Sequence, residues 1–202
     1  MLDAADITKT LLTQCLVVIT GVSPRSLGES LATAIARHSP ARLILASRTK
    51  TKLERVALQI ADLSPNLKPT LIELDLSSRE AIHRAAAEIL NSIEYIDTLF
   101  NNAAVVTSER QLTADGIELQ FGTNHIGHFL FTSLLTPLLL AGAKRSGHPG
   151  TTRAVNVTSA GYRLSPVRFH DYNFEGKPVP SHEAPPVSLP SHLKPDPIGG
   201  KS

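Results

Sequence analysis

The sequence predicts an α/β fold built on a doubly wound parallel sheet. Short apolar runs alternate with amphipathic helical stretches from residue 16 to about residue 158. The runs are apolar throughout rather than at every second position, which is what strands covered on both faces require. The chain has 202 residues, 42% of them hydrophobic and 19% charged, enough for one globular domain with a sizeable core.

Each element has its own signal. Leu16-Val17-Val18-Ile19-Thr20 reads as a buried strand, and Leu27 to His38 as a helix with a stripe of Leu27, Leu31, Ala34 and Ile35. Leu43 to Ala46 is a second strand, followed by a helix from Lys52 to Leu63 with Leu53, Val56, Leu58 and Ile60. Thr70 to Leu74 is a third strand. A helix from Ser77 to Leu90 takes Ser78 as candidate N-cap and aligns Ile82, Ala85, Ala86 and Ile89 on one face. Ile96 to Phe100 is a fourth strand, Gly116 to Ala141 a long helix, and Arg153 to Thr158 a fifth, buried strand beside the fourth.

The remainder reads differently. Eight of the 14 prolines lie in 161–202, a density that neither helix nor central strand tolerates. The expected division is a nucleotide-binding domain at 1–176 and a Pro-rich irregular, mobile tail at 177–202.

Composition narrows the function classes. A net charge of +2 without a dense basic run, and 4% aromatic residues without tryptophan, argue against a nucleic-acid partner. A single cysteine, Cys15, fits a reducing, cytoplasmic setting. The apolar stretch from Leu11 to Val22 follows Asp3 and Asp6, the wrong charge for a signal peptide. The tract from Phe129 to Ala143 is short for a membrane span and holds Pro137, so a buried helix or subunit interface is expected. His125 and His128 stand three apart on a helix without a convincing third ligand, so packing near the helix surface is expected rather than a metal.

The strand ends carry the chemistry. Thr20-Gly21-Val22-Ser23-Pro24-Arg25-Ser26-Leu27-Gly28 joins the first strand to the first helix. Gly21 lets the chain turn, and Gly28 lets backbone approach a pyrophosphate at the positive end of the helix; Ser23 and Leu27 complete the loop. The second strand ends at Arg48, with Lys50 and Lys52 following and no acid between Leu43 and Lys52. An NAD site wants a carboxylate there, whereas arginine accommodates a 2′-phosphate, so Arg48, Lys52 and Arg25 favour NADP. Asp75 is a candidate acceptor for the adenine amino group, or a helix N-terminal acid. Asn102 and the alanines after it allow close approach to a ribose, or form a turn.

With Asn101-Asn102-Ala103-Ala104, Asn124-His125-Ile126-Gly127-His128-Phe129 and Val155-Asn156-Val157-Thr158-Ser159 added, the chain resembles the short-chain dehydrogenases/reductases, in particular their retinol-dehydrogenase-like branch. The match runs from about Leu16 to Gly176. It implies a Rossmann-type sheet and an NADP-dependent oxidoreductase acting on the alcohol/carbonyl pair of a small, apolar molecule, with secondary metabolism within the family's breadth. It also implies that Ser159 hydrogen-bonds the substrate oxygen and that Asn124 holds a proton-relay water. The glycine loop departs from the family pattern, with Ser26 near the missing middle glycine.

The family's general acid/base is a tyrosine with a lysine four residues on. Here Tyr95, Tyr162 and Tyr172 are followed at that spacing by Leu99, Pro166 and Gly176. The expectation is a C-terminally truncated sheet and a chain weakly active or inactive alone. A catalytically silent nucleotide-binding protein and a truncated gene product are the alternatives. An open sheet edge at Val155 and Val157, or the long helix, would then support homo-oligomer formation or aggregation.

Overall fold

The computed structural model describes residues 15–148, 150–160 and 167–181. Most of the proposed tail, Tyr162 and Pro166 lie outside them. β1 (Leu16–Thr20), β2 (Arg42–Ser47), β3 (Thr70–Glu73), β4 (Thr98–Asn101) and β5 (Arg153–Asn156) form one parallel sheet in the order β3-β2-β1-β4-β5. The chain crosses back from β3 to β4, so the strand order reverses between β1 and β4, the place where such a sheet opens a crevice at the strand ends.

Successive residues of β1 point to opposite faces. Leu16 and Val18 join Ile44, Ile72 and Leu99 under α3 (Arg79–Ser92) and α4 (Leu119–Ser146). Val17 and Ile19 join Leu43, Leu45 and Val56 under α1 (Leu27–Ala36) and α2 (Lys50–Leu63). All five β1 residues are buried, as its unbroken apolar run predicts. Ser78 caps α3 by accepting from the Ala81 amide at 3.2 Å.

Several sequence expectations are corrected. The α1 stripe is misphased: Gly28, Ala32, Ile35 and Ala36 are its buried residues, while Leu27 is 74% exposed because the helix begins at the crevice. In α2, Leu53, Val56 and Ile60 are buried and Leu58 points to solvent. The long helix starts at Leu119, not Gly116. Gly116 has φ of +76° in a turn closed by Gly116 N–H to Thr113 O, and Glu118 caps the helix by accepting from the Gln120 and Phe121 amides. β5 is shorter than expected and mostly exposed, forming an edge of the sheet among the described residues. His128 is buried rather than surface-packed.

α4 is long and apolar enough to cross a membrane by length and composition, yet Phe131, Leu135 and Leu138 sit in the core. Its stretch Gly122–Gly127 is π-helical, and Pro137 is accommodated inside the following α-helix. Two of its glycines lie where no side chain fits. A Cβ on Gly127 would come within 2.3 Å of the Leu76 carbonyl oxygen, and one on Gly142 within 2.2 Å of the Ile96 carbonyl oxygen. The Ile96 amide in turn donates to the Leu138 carbonyl at 3.0 Å, so α4 lies directly on the backbone leading into β4.

Gly142→Ala forces that backbone apart. It is expected to cost about 1–3 kcal/mol, the range for overpacking, read as a lower thermal unfolding midpoint by circular dichroism.

Candidate functional site

A cleft of about 920 Å³ lies along the carboxyl ends of the strands. Its walls bring together Gly21, Ser23, Leu27, Gly28, Arg48, Lys52, Asn102, Asn124 and Ser159 from five separate stretches of chain. Two of the sequence-predicted site residues, Arg25 and Asp75, do not line it. Arg25 is exposed with φ of +61°, and its amide donates to the Glu29 carboxylate at 2.6 Å. Asp75 closes a local turn, one carboxylate oxygen accepting from the Ser77 amide at 2.9 Å and the Ser77 hydroxyl at 2.6 Å. Asp75 thus spends this oxygen on a turn just ahead of α3, whose N-cap is Ser78.

Thr20 lies beneath the cleft-lining Gly21, Asn102 and Ala103. Its side chain is fully buried, and its Oγ1 accepts from the amides of Asn102 and Ala103, each at 3.0 Å. The same oxygen lies 3.3 Å from the Phe100 carbonyl and 3.1 Å from His128 Nε2. Asn102 completes the tie by donating from Nδ2 to the Thr20 carbonyl at 2.9 Å. Asn102 thus lines the cleft while its side chain is spent on the backbone at the end of β1.

This tie leaves room for glycine alone at two positions. Gly21 turns with φ of +73°, and a Cβ there would meet Ala103 Cα at 2.4 Å. A Cβ on Gly28 would meet the Gly21 carbonyl oxygen at 2.5 Å. Gly28 therefore packs helix against turn, and it also lines the cleft where the sequence predicts pyrophosphate approach.

Ser26 stands where the missing glycine was noted, and it caps α1. Its hydroxyl accepts from the Glu29 amide at 3.2 Å and donates to the Ser23 carbonyl at 2.6 Å. Leu27 and Gly28, whose amides open the helix, line the cleft. Amides unsatisfied within the first helical turn and the positive helix end suit an anion. Arg48 and Lys52 are exposed on the cleft wall at the end of β2. The donor set thus fits a phosphorylated ligand lying from α1 across to β2.

The opposite wall is α4. Asn124 uses its whole side chain on the loop after β4: Nδ2 donates to the Val105 carbonyl at 2.9 Å and Oδ1 accepts from the Val105 amide at 2.8 Å. Asn101 joins three elements, its Nδ2 donating to Thr132 Oγ1 at 2.9 Å and Asn156 Oδ1 at 2.8 Å. Exposed Val106 and Phe129 give this end an apolar lining, and Ser159 closes it beyond β5. His128 was missed as part of the site. Its pKa lies below the ordinary imidazole value, chiefly because burial disfavours the cation; a hydrogen bond to the Asn124 carbonyl opposes this.

A segment the sequence reading left unassigned packs against the start of α4. Asn173 Oδ1 accepts from the Glu118 amide at 2.8 Å and its Nδ2 donates to the Gly116 carbonyl at 3.1 Å. The Asp171 carboxylate accepts from the amides of Glu175, Gly176 and Lys177, so the chain is held in a local turn through residue 177.

The family model described as short chain dehydrogenase matches residues 15–172. An oxidoreductase of Fusarium equiseti, fscI, is 35% identical over 160 residues, covering 79% of this chain and 61% of the relative. Human retinol dehydrogenase 13 is 35% identical over 159 residues, covering 79% of this chain and 45% of the relative. The chain therefore spans roughly half the length of such relatives. Among solved structures, a short chain dehydrogenase from Escherichia coli CFT073 complexed with NADPH has a TM-score of 0.57 at 26% identity. That alignment covers 66% of this chain and 56% of the other.

Thr20→Val keeps the shape of the side chain and removes the acceptor for two buried amides. It is expected to destabilise the fold by about 1–3 kcal/mol, measured by denaturant unfolding, while Thr20→Ser retains most of the stability.

Proposed function

Because the chain belongs to the short-chain dehydrogenase/reductase family, in its retinol-dehydrogenase-like branch, we propose that it binds NADP(H) in the cleft and serves oxidation or reduction of a small apolar alcohol/carbonyl pair. The observation that carries the cofactor choice is the pair Arg48 and Lys52 at the end of β2, where no carboxylate stands. A 2′-phosphate would meet two cations there, and a free ribose 2′-hydroxyl no acceptor acid. Leu27 and Gly28, at the start of α1, would hold the pyrophosphate. NADPH bound to the similar Escherichia coli protein supports the same reading.

When bound, the nicotinamide supplies or takes the hydride. The chain's own residues place and shield it. Ser159 sits at the far end of the cleft to hydrogen-bond the substrate oxygen, and Val106 and Phe129 give that end an apolar wall. Asn124 holds the loop after β4 in place through Val105, and its proposed part in a proton relay remains a role for water near the same residue. A cytoplasmic location is supported by the single Cys15, and self-association by the exposed Phe129 and Leu140 on α4.

These 202 residues hold no tyrosine followed four residues on by lysine. Ser159 orients an oxygen but is a poor proton donor without such a pair, whose assistance is typically worth about 10²–10⁴-fold. The chain on its own is therefore proposed to be weakly active or silent while still binding nucleotide.

Calorimetric titration of both nucleotides is expected to show tighter binding of NADP than NAD; equal or tighter NAD binding overturns the choice. Arg48→Asp is expected to weaken NADP by about 1–3 kcal/mol and to shift the preference toward NAD, because it supplies the acceptor carboxylate a free ribose wants. Turnover of simple ketones or aldehydes with NADPH is expected to be slight. Robust turnover, lost in Ser159→Ala, would show that another group replaces the tyrosine.

A further inference from the structure

We propose that His128 is a positioning residue of the nucleotide site, a neutral ring that fastens the turn after β1 to the π-helical stretch of α4 carrying Asn124. The inference rests on the nucleotide-binding reading above. It starts from the bonding capacity of one hydroxyl. Thr20 Oγ1 has two acceptor sites and one proton. The Asn102 and Ala103 amides, each at 3.0 Å, occupy both acceptor sites. The hydroxyl therefore meets His128 Nε2, at 3.1 Å, only as a donor, with the Phe100 carbonyl at 3.3 Å as the second claimant on its proton. Nε2 must then offer a lone pair.

The other ring nitrogen agrees. His128 Nδ1 lies 3.1 Å from the Asn124 carbonyl oxygen, which can only accept, so Nδ1 carries the hydrogen. The ring is the neutral Nδ1–H tautomer, bridging Thr20 on β1 and Asn124 on α4. Its distance from the sheet is set one residue earlier, where Gly127 lies against the Leu76 carbonyl with no room for a Cβ.

A second proton on the ring would undo the bridge. Nε2–H would face an oxygen whose acceptor sites are filled, and Thr20 would have to release the Asn102 or Ala103 amide. Those residues and Gly21 form the floor of the cleft, in mutual contact closer than any side chain permits. The ring bonds to the Thr20 hydroxyl of β1 and the Asn124 carbonyl of its own helix, and behind Thr20 Oγ1 stand the Phe100 carbonyl and the Asn102 and Ala103 amides from the end of β4. None of these is charged, so no carboxylate among them stabilises the cation. With the folded imidazole below its ordinary pKa, the unfolded chain binds a proton first as pH falls. Stability and nucleotide affinity are thus full above about pH 6.5 and decline below it.

The test uses NADPH as probe and the whole chain, with wild type, His128→Gln and His128→Phe. The glutamine amide can accept from Thr20 and does not titrate; phenylalanine keeps the bulk alone. At about pH 8, His128→Gln is expected to bind within about threefold of wild type and His128→Phe about tenfold or more weakly. Between about pH 8 and pH 5, wild type is expected to lose about tenfold more affinity than His128→Gln; the titration of the 2′-phosphate is common to both. Two-dimensional ¹H–¹⁵N spectra of wild type should show the Nδ1–H tautomer. An Nε2–H ring, matching pH profiles for wild type and His128→Gln, or full affinity in His128→Phe each overturns the positioning role while leaving nucleotide binding intact. Absence of NADPH binding by wild type at every pH overturns the nucleotide reading, and the positioning role with it.

Discussion

The buried hydroxyl of Thr20 is the constraint on which the cleft depends. At the crossover of a parallel sheet, two strands end side by side and their following residues diverge, which leaves amides without ladder partners. Here the orphaned amides are those of Asn102 and Ala103, and one side-chain oxygen satisfies both. The bond has to be made in a fully buried place, where an unmet amide costs more than at the surface. Once the loop after β4 is drawn onto β1, Gly21 and Gly28 follow, because the space their side chains would need is filled by Ala103 and by the Gly21 carbonyl.

The second wall is positioned by the same kind of contact. α4 has few polar handles on its buried side and touches the sheet through glycine, at Gly127 against Leu76 and at Gly142 against Ile96. Close backbone contact sets the height of the helix, and the buried Phe131, Leu135 and Leu138 then fill the remaining space. The π-helical stretch adds a residue to a turn, an arrangement frequent at functional sites. It carries Asn124 to the Val105 backbone and keeps His128 under the cleft. The cleft is thus organised by contacts within the chain before any ligand enters, which is what precise placement of a reacting group requires.

Much of the fold was legible in the residues. β1 was read to its ends because five consecutive apolar or β-branched residues between polar segments suit a strand covered on both sides. The face of α3 was read correctly because Ile82, Ala85, Ala86 and Ile89 repeat at helical spacing and Ser78 has a partner three residues on. Reading failed where one pattern serves two masters. Leu27 continues the apolar pattern of α1 but belongs to the cleft, and Leu58 is apolar by composition and exposed by phase. Gly116 looked like the start of a helix, whereas its positive φ belongs to a turn that Glu118 then caps.

The sequence by itself determined the order of strands and helices, the family, and the set of residues at the strand ends, because hydrophobic period and short motifs are local properties. Tertiary structure decided what those residues do. Whether Asp75 faces the cleft or its own Ser77, how closely Gly28 packs on Gly21, and whether His128 is a surface residue or a buried link to Thr20 all depend on partners 2 to 108 residues away. A hydroxyl's second and third hydrogen bonds leave no trace in sequence spacing. They exist only once the sheet has brought β1, β4 and α4 together.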